Sequence, residues 1–593
     1  MIDPVLNYSR AIGGSGYDEA VAVAIDAGGH VFVAGLTTAT DQSADRLGAT
    51  GGDTDVFVAR LDPTAQRLLS LTYVGGSGAD DVRSIVVDGA GRAHIAGNTQ
   101  SSDFPVTLPL SGQHTARGGG DAFVATLAAT GGALAFSTYL GGTDADEAHG
   151  LALAPDGSLI VVGETRSADF PTVQARQLVN GGLDGFVTKI TPGRTIGWST
   201  FHGGQTSDSI FAVAVVGSGA IAVSGTTNSP DFPVLGAAYG RNAGSDAFVS
   251  RFTAGGSLVF STYISGSLHD AAQVVGVDGA GGVYVAGSTL SPDMPASSAI
   301  GQGGGLDVFI ASFTPTGTPV ALKRVGGSGI DTARALVVNA TGLYVTGQTT
   351  SGDFPLLRPA QFTNAGNRDA FVLMLRGSTL FYSTYVGTSS NDDALGLAVD
   401  PVGRAVVTGA LHLSASSDRG PSDAFLFRLS SGDENADTDS NGLPDAWETQ
   451  YNLDPTATDA QADPDGDGLT NLEEFQRGTH PMGRHTRYLA EGATIPPFRT
   501  TLALFNPSDR PAAVLLRFLC QRACGVPDIP DQPTVVRKLV TLPPFARGTV
   551  QVGDIAGLAT EEFATIIERI SRWSWTGRCC GTAPRTAATP KQR

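Results

Sequence analysis

The chain has 593 residues, with 78 Gly and only 16 % charged residues, a profile that suits many short strands joined by tight turns and excludes coiled coils and long helical arrays. Its net charge of −19 excludes a nucleic-acid partner, because phosphate binding needs a basic footprint, and no apolar run is long enough to cross a bilayer. Its four cysteines, Cys520, Cys524, Cys579 and Cys580, all lie near the C-terminus and cannot form a framework for so long a chain.

The N-terminus, Met1-Ile2-Asp3-Pro4-Val5-Leu6, has neither the basic nor the apolar region of a signal peptide. The expectation is an exported protein whose true start is missing here. From Leu6 onward one unit repeats. A turn follows each aromatic strand at Ile12-Gly13-Gly14, Val74-Gly75-Gly76, Leu140-Gly141-Gly142 and His202-Gly203-Gly204, then at Ile264-Ser265-Gly266, Val325-Gly326-Gly327 and Val386-Gly387-Thr388. Successive final positions are 62, 66, 62, 62, 61 and 61 residues apart, which makes seven copies.

Each copy holds four strand-like runs; in the third they are Asp121–Leu127, Ala135–Leu140, His149–Leu153 and Leu159–Thr165. Phe123, Ala125 and Leu127 show the period of two that marks a half-buried strand. Four antiparallel strands repeated seven times predict an all-β, seven-bladed, four-stranded β-propeller over residues 1–430. The unit exceeds a WD40 repeat of about 40–45 residues. Its extra length lies in segments such as Ser102-Asp103-Phe104-Pro105 and Pro230-Asp231-Phe232-Pro233, where Pro sets a turn, Asp caps it and Phe anchors the loop. The repeat region opens on an aromatic strand, Leu6 to Ile12, and ends on an unaccompanied Asp423-Ala424-Phe425-Leu426-Phe427-Arg428-Leu429. Pairing these two predicts a closed ring, which removes exposed sheet edges.

The D-A-F-V, S-T-Y-L-G-G and V-A-G-x-T-x-S-x-D-F-P strings resemble the bacterial β-propeller repeat family. The resemblance implies an exported, seven-bladed protein of undefined biochemical activity. Two copies depart from it, at Thr40 to Gly52 and at Leu413 to Pro421.

Asp18, Asp80, Asp146, Asp208, Asp270, Asp331 and Asp392 each follow the glycine turn by four residues. A ring of these carboxylates would hold cations; alternatively each accepts N–H bonds within its own turn. The nine histidines, His149 and His202 among them, form no H-x-H or H-E-x-x-H pair and read as ordinary surface or turn residues. No G-x-S-x-G or P-loop motif occurs, and no enzyme is expected.

Residues 433–475 carry thirteen Asp or Glu and no Lys or Arg. Two D-x-[DN]-x-[DN]-G-x5-E loops fit there. The first offers Asp437, Asp439, Asn441, Leu443, Asp445 and Glu448; the second offers Asp463, Asp465, Asp467, Leu469, Asn471 and Glu474. Positions 1, 3, 5, 7, 9 and 12 give calcium its oxygens, with the carbonyls of Leu443 and Leu469 at position 7, while Gly442 and Gly468 turn the chain. A solvated acidic linker is the alternative. Short helical patterns follow at Ala446 to Tyr451 and Leu472 to Arg477. The pair resembles the thrombospondin type 3-like repeats of bacterial secreted proteins, which implies a structural calcium linker over 431–484 with EF-hand-like loops.

Runs at Thr500–Phe505, Ala513–Leu519, Thr534–Thr541 and Gly548–Val552 predict a small β-sandwich-like domain over 485–571. The basic stretch 572–593 reads as an irregular tail, explained either by a shifted reading frame or by a true basic extension. The whole predicts a non-catalytic, monomeric, secreted or cell-surface scaffold or adhesion protein that binds an extracellular protein or glycan. The alternative is a carbohydrate- or peptide-active enzyme using acidic residues at the channel mouth; unlike residues in one or two blades would mark it, whereas a scaffold repeats the same residues in each.

Overall fold

The computed structural model describes residues 5–12, 16–38, 45–48, 52–65, 67–242, 244–296, 298–388, 390–400, 403–412 and 422–430. Beyond these it describes Asn441, Leu443, Leu453, 457–464, 470–472, 486–493, 501–505, 512–520, 535–542, 547–551 and 562–569. They fall into two units, one within 3–431 and one within 432–593.

The first unit is a ring of seven sheets. Blade one is Asp18–Ile25, Val31–Thr37, Asp55–Leu61 and Leu68–Val74, from the inside outward, and blades two to six repeat that order. Blade three, for example, is Asp146–Leu153, Leu159–Thr165, Asp184–Ile190 and Ile196–His202. Blade seven takes Asp392–Val399, Ala405–His412 and Ser422–Ser430 from the end of the repeats and its outermost strand, Val5–Ile12, from the start. The antiparallel register runs from Val5 opposite Ser430 to Ile12 opposite Ala424. Each innermost strand touches the innermost strands of both neighbours, Asp392–Val399 against Asp18–Ile25 included, so the ring is closed. Ser422 Oγ reinforces the seam by donating to the Asp18 carbonyl at 3.1 Å, and Arg428 Nη2 by donating to the Pro63 carbonyl at 2.9 Å.

Phe residues hold the long connections down, as their sequence setting predicts. Phe104, Phe170, Phe232 and Phe354 lie 4.6, 4.5, 4.4 and 4.7 Å from the rings of Phe123, Phe186, Phe248 and Phe371 in the third strands. Such contacts add to the burial of large apolar area. Tyr139 Oη pins its loop from the outer strand, donating to the Ser101 carbonyl at 2.8 Å and accepting from Phe104 N at 3.1 Å. The same loops run along the blade's outer edge. In blades one and five they add short parallel strands, Asp45–Leu47 and Ser298–Gly301; in blades two, three, four and six they form single bridges such as Val173 opposite Ser199. Covering that edge removes a template for aggregation.

The innermost strand begins earlier than its apolar pattern suggests, at Asp146 rather than His149 in blade three. It also bulges. The register shifts after its third residue, between Ala148 and Gly150 here, and at the matching place in every other blade except blade five, where it falls between Ala271 and Val274. Beside each bulge the carbonyl of the second residue points at a glycine of the next strand, where no larger residue fits: a Cβ on Gly163 would sit 1.8 Å from the Glu147 oxygen. A bulge leaves one residue unpaired and re-aims its side chain.

One core residue makes the ring sensitive to acid. His202 is fully buried, with Nε2 2.8 Å from Ser250 Oγ and the rings of Phe232 and Phe252 4.9 and 5.2 Å away. Burial drives its pKa down to about 3. The folded ring stays neutral while the unfolded chain takes up a proton near pH 6.5, so stability is lost as pH falls from about 6.5 toward 3, by up to ~1.4 kcal/mol per pH unit. Blades two and four place Leu140 and Ile264 there. His202→Leu is therefore expected to flatten the acid limb by about one proton. An unchanged difference between wild type and variant in urea melts from pH 7 to 4 would refute this.

In the second unit, Thr486–Ala493, Glu562–Arg569, Ala512–Cys520 and Val535–Leu542 form one antiparallel sheet in that order, and Thr501–Phe505 pairs with Arg547–Gln551. Four of these six strands match the predicted runs. Thr486–Ala493 and Glu562–Arg569 were not anticipated. Residues 572–593 lie outside the described residues.

Candidate functional site at the inner rim

What recurs in every blade is spent on the turns. Gly142 N donates to Asp146 Oδ2 at 2.7 Å, and Ser167 Oγ donates to the same oxygen at 2.8 Å. Gly76, Gly204, Gly266 and Gly327 N donate in the same way to Asp80, Asp208, Asp270 and Asp331 at 2.7, 2.6, 2.8 and 2.8 Å. Thr388 N donates to Asp392 at 2.5 Å. The loop aspartates cap the next amide: Thr143 N donates to Asp169 at 2.8 Å and Ser77 N to Asp103 at 2.8 Å. The recurrent aspartates are buried, and six of them accept bonds within their own turns, so they do not form an open ring of carboxylates.

A second buried carboxylate, that of the third strand, meets the first across the turn glycine. A Cβ on Gly203 would lie 2.6 Å from Asp184 Oδ1 and 2.8 Å from Asp208 Oδ2. Burial, and then the charge of Asp208, push Asp184 up to about 7. Burial likewise lifts Asp146 to about 6 and Asp369 to about 6. These groups favour the fold where they are protonated and the unfolded chain is not, so their contribution fades as pH rises from about 4 to 7.

What varies between blades sits just beyond. The second residue of the innermost strand is Glu19, Asp81, Glu147, Ser209, Ala271, Thr332 and Asp393 in blades one to seven. Carboxylates thus occupy four contiguous blades, seven, one, two and three. The links between them are physical. The Tyr17 phenol donates to Glu19, and its pKa is pushed up by burial and by the charges of Glu19, Asp393 and Asp81. Arg83, the bulged residue of blade two, lies 3.8 Å from Asp81. Arg368 clasps Asp393 at 2.7 and 2.8 Å.

In blade three the bulge extrudes His149. Its Nδ1 is 3.0 Å from the Ile210 carbonyl, its Nε2 is 3.5 Å from Glu147 Oε2, and its ring tilts against Phe211 at 5.7 Å. Glu164 stands opposite Glu147 in the register. The His149 imidazole, and further off Arg83 and Arg166, hold the Glu147 carboxyl below its usual range. The sequence held a signal for this rim, the residue after each recurrent Asp. The bulge that brings His149 to it could be read only from the register.

Of the predicted calcium-loop residues, Asn441, Leu443, Asp463 and Asn471 are described; Asp437, Asp439, Asp445, Glu448, Asp465, Asp467, Leu469 and Glu474 lie outside the described residues. Asn441 Oδ1 accepts from Leu443 N at 2.7 Å, and its Nδ2 donates to the Ala457 carbonyl at 3.3 Å. Asn471 N is 2.8 Å from the Ala462 carbonyl and Asn471 Nδ2 is 3.0 Å from that of Asp459. Leu443, Leu453, Ala460 and Leu472 pack together, so residues from both loops share one small core. The Asn471 Oδ1 oxygen is buried and has no hydrogen-bond donor among the described residues. A buried acceptor without a donor is costly, and a cation at loop position nine would satisfy it. That one described oxygen is compatible with the ion.

The ring defines the class of protein, a seven-bladed, four-stranded β-propeller followed by a second, separate unit. Among known proteins, residues 71–105 match the family model described as Beta-propeller repeat. No curated protein matches the chain. Among solved structures it is similar to phage phi92 endosialidase at 9 % identity and a TM-score of 0.35, over 72 % of this chain and 69 % of that one. It is also similar to a Trypanosoma rangeli sialidase mutant displaying trans-sialidase activity, at 8 % identity and a TM-score of 0.33, over 98 % and 95 %. A gluconolactonase from Xanthomonas campestris aligns at 10 % identity and a TM-score of 0.26, over 57 % and 94 %. At these values the likenesses carry no argument about activity. Among the described residues, no helix is long and apolar enough to cross a membrane.

Proposed function

We propose that the chain is a non-catalytic, secreted or cell-surface binding protein, whose propeller docks a partner protein at the inner rim and whose acidic segment is a structural calcium linker. One observation supports it above others. The polar groups that recur in each blade are engaged in turns, whereas the carboxylates that differ between blades gather on four neighbouring blades. Glu19, Asp81, Glu147, Glu164 and Asp393 outnumber Arg83, Arg166 and Arg368 there, so the rim favours a basic protein segment over an anionic glycan. The net charge of −19 steers in the same direction. For the linker, the support is the pair of complete loop patterns and the buried Asn471 oxygen.

The rim reading is tested with defined probes: an oligolysine peptide and neutral oligosaccharides, titrated by fluorescence anisotropy. The expected result is salt-dependent peptide binding, weakened at least about tenfold in a Glu19→Gln, Asp81→Asn, Glu147→Gln, Asp393→Asn variant that melts like wild type. Oligosaccharide binding that the variant retains would replace the protein partner by a glycan. Turnover of a glycoside or peptide substrate, lost in the same variant, would favour the enzyme reading instead.

A further inference from the structure

We infer that Glu147, His149 and Glu164 form a binding site for a first-row divalent transition metal, of which Zn²⁺ is the natural probe. Their donor atoms all lie within 4.8 Å of one another, one from the imidazole and one from each carboxylate. Three features in and beside blade three build this arrangement, and none of them belongs to the calcium segment.

The register is the first. Glu147 and Glu164 are direct cross-strand partners, and like charges placed opposite each other destabilise a sheet unless something compensates them. The second is the imidazole's orientation. A carbonyl can only accept, so the 3.0 Å contact with Ile210 O puts a proton on Nδ1. Nε2 is then the ring nitrogen turned toward the carboxylates, and the one that would bind an ion on giving up any proton it carries. Metal-binding histidines are held in this way, with the other ring N–H donated to a backbone carbonyl.

The third feature is a distance. A simple imidazolium–carboxylate bond closes to about 2.7–2.9 Å, but Nε2 stands 3.5 Å from Glu147 Oε2. Ligand bonds of about 2.0–2.1 Å in a tetrahedral site put neighbouring donors about 3.4 Å apart. The gap thus suits an ion better than a direct ion pair. Asn98 Nδ2 also reaches Glu147 Oε2, at 3.4 Å, while Asn98 Oδ1 accepts from Ala148 N at 2.9 Å, which steadies the strand between two of the ligands. The half-buried glutamates have room to close on the ion. A mixed N and O donor set suits zinc-like ions, whereas calcium and magnesium prefer oxygen alone. Three protein donors leave a fourth position for water or for a donor atom of a bound partner.

The test uses the full chain with its four cysteines changed to serine, which removes thiol sites, in millimolar calcium, which fills the acidic loops. Isothermal titration with Zn²⁺ is expected to show one site, and Co²⁺ is expected to give a visible absorption band at the same stoichiometry. His149→Ala and Glu164→Gln should each weaken Zn²⁺ by about 100-fold or more while leaving the circular dichroism unchanged. Should His149→Ala fail to fold, Glu164→Gln carries the same test. Absence of Zn²⁺ binding, or binding that survives a folded substitution, would overturn the assignment.

Discussion

Deleting residues 1–12 is expected to unfold or severely destabilise the propeller, although the deletion removes a single strand. Val5–Ile12 is the outer strand of blade seven, and its partner strand, Ser422–Ser430, carries the buried Phe425, Phe427 and Leu429. Without the strand, the Ser422–Ser430 edge loses its ladder of hydrogen bonds and one side of the blade opens to water. Ring closure makes the loss non-local. Blade seven is packed between blades one and six through Asp18–Ile25 and Asp331–Val338, so loosening it exposes faces of both neighbours. The expected cost is more than ~5 kcal/mol, comparable with the whole stability of an ordinary domain. Calorimetry measures it, and a synthetic peptide of residues 3–14 should restore part of the lost transition. A deletion variant that melts like the full chain would show that the first strand does not close the ring.

Removing calcium is expected to have the second large effect, confined to the unit within 432–593. Thirteen carboxylates between residues 433 and 475, without a Lys or Arg among them, repel one another unless cations intervene. Extracellular loops of this pattern bind at about 10⁻⁴–10⁻³ M. A millimolar calcium supply therefore adds only ~1–3 kcal/mol over two sites by mass action. That is enough to decide whether so small a core as Leu443, Leu453, Ala460 and Leu472 stays formed. Titration calorimetry should show two calcium equivalents, with Glu448→Gln and Glu474→Gln each removing one. Identical heats in wild type and the double variant would place any calcium elsewhere.

Much of the ring was legible because repetition averages out local ambiguity. One Asp-x-Phe run says little; seven at near-constant spacing fix the strand count, and the phase of the chain ends reveals the closing blade. The loop phenylalanines were equally readable, since an isolated aromatic beside Asp and Pro needs a surface to cover. The innermost strand was harder. Its apolar period begins at His149, whereas pairing begins at Asp146, where the side chain is occupied with the turn. Gly163 and its counterparts Gly97, Gly225 and Gly347 were visible as glycines inside strands, a known mark of bulges or close backbone approach. Which residue each bulge extrudes depends on register, and so His149 read as an ordinary surface residue. In the second unit, Glu562–Arg569 was missed for another reason. Its apolar residues Phe563, Ile566 and Ile567 also fit a helical spacing, and pairing with Thr486–Ala493 and Ala512–Cys520 decides the matter.

The division between aspartates that build turns and carboxylates that hold calcium is tested most directly by a calorimetric scan of the full chain, first in millimolar calcium and then in excess EGTA. Two transitions are expected. The one belonging to residues 432–593 should fall when calcium is withdrawn, and the propeller transition should stay where it is, because one oxygen of each of Asp80, Asp146, Asp208, Asp270 and Asp331 already accepts from a turn N–H and a serine hydroxyl. A propeller transition that drops with EGTA would contradict this, since it would place calcium among those aspartates.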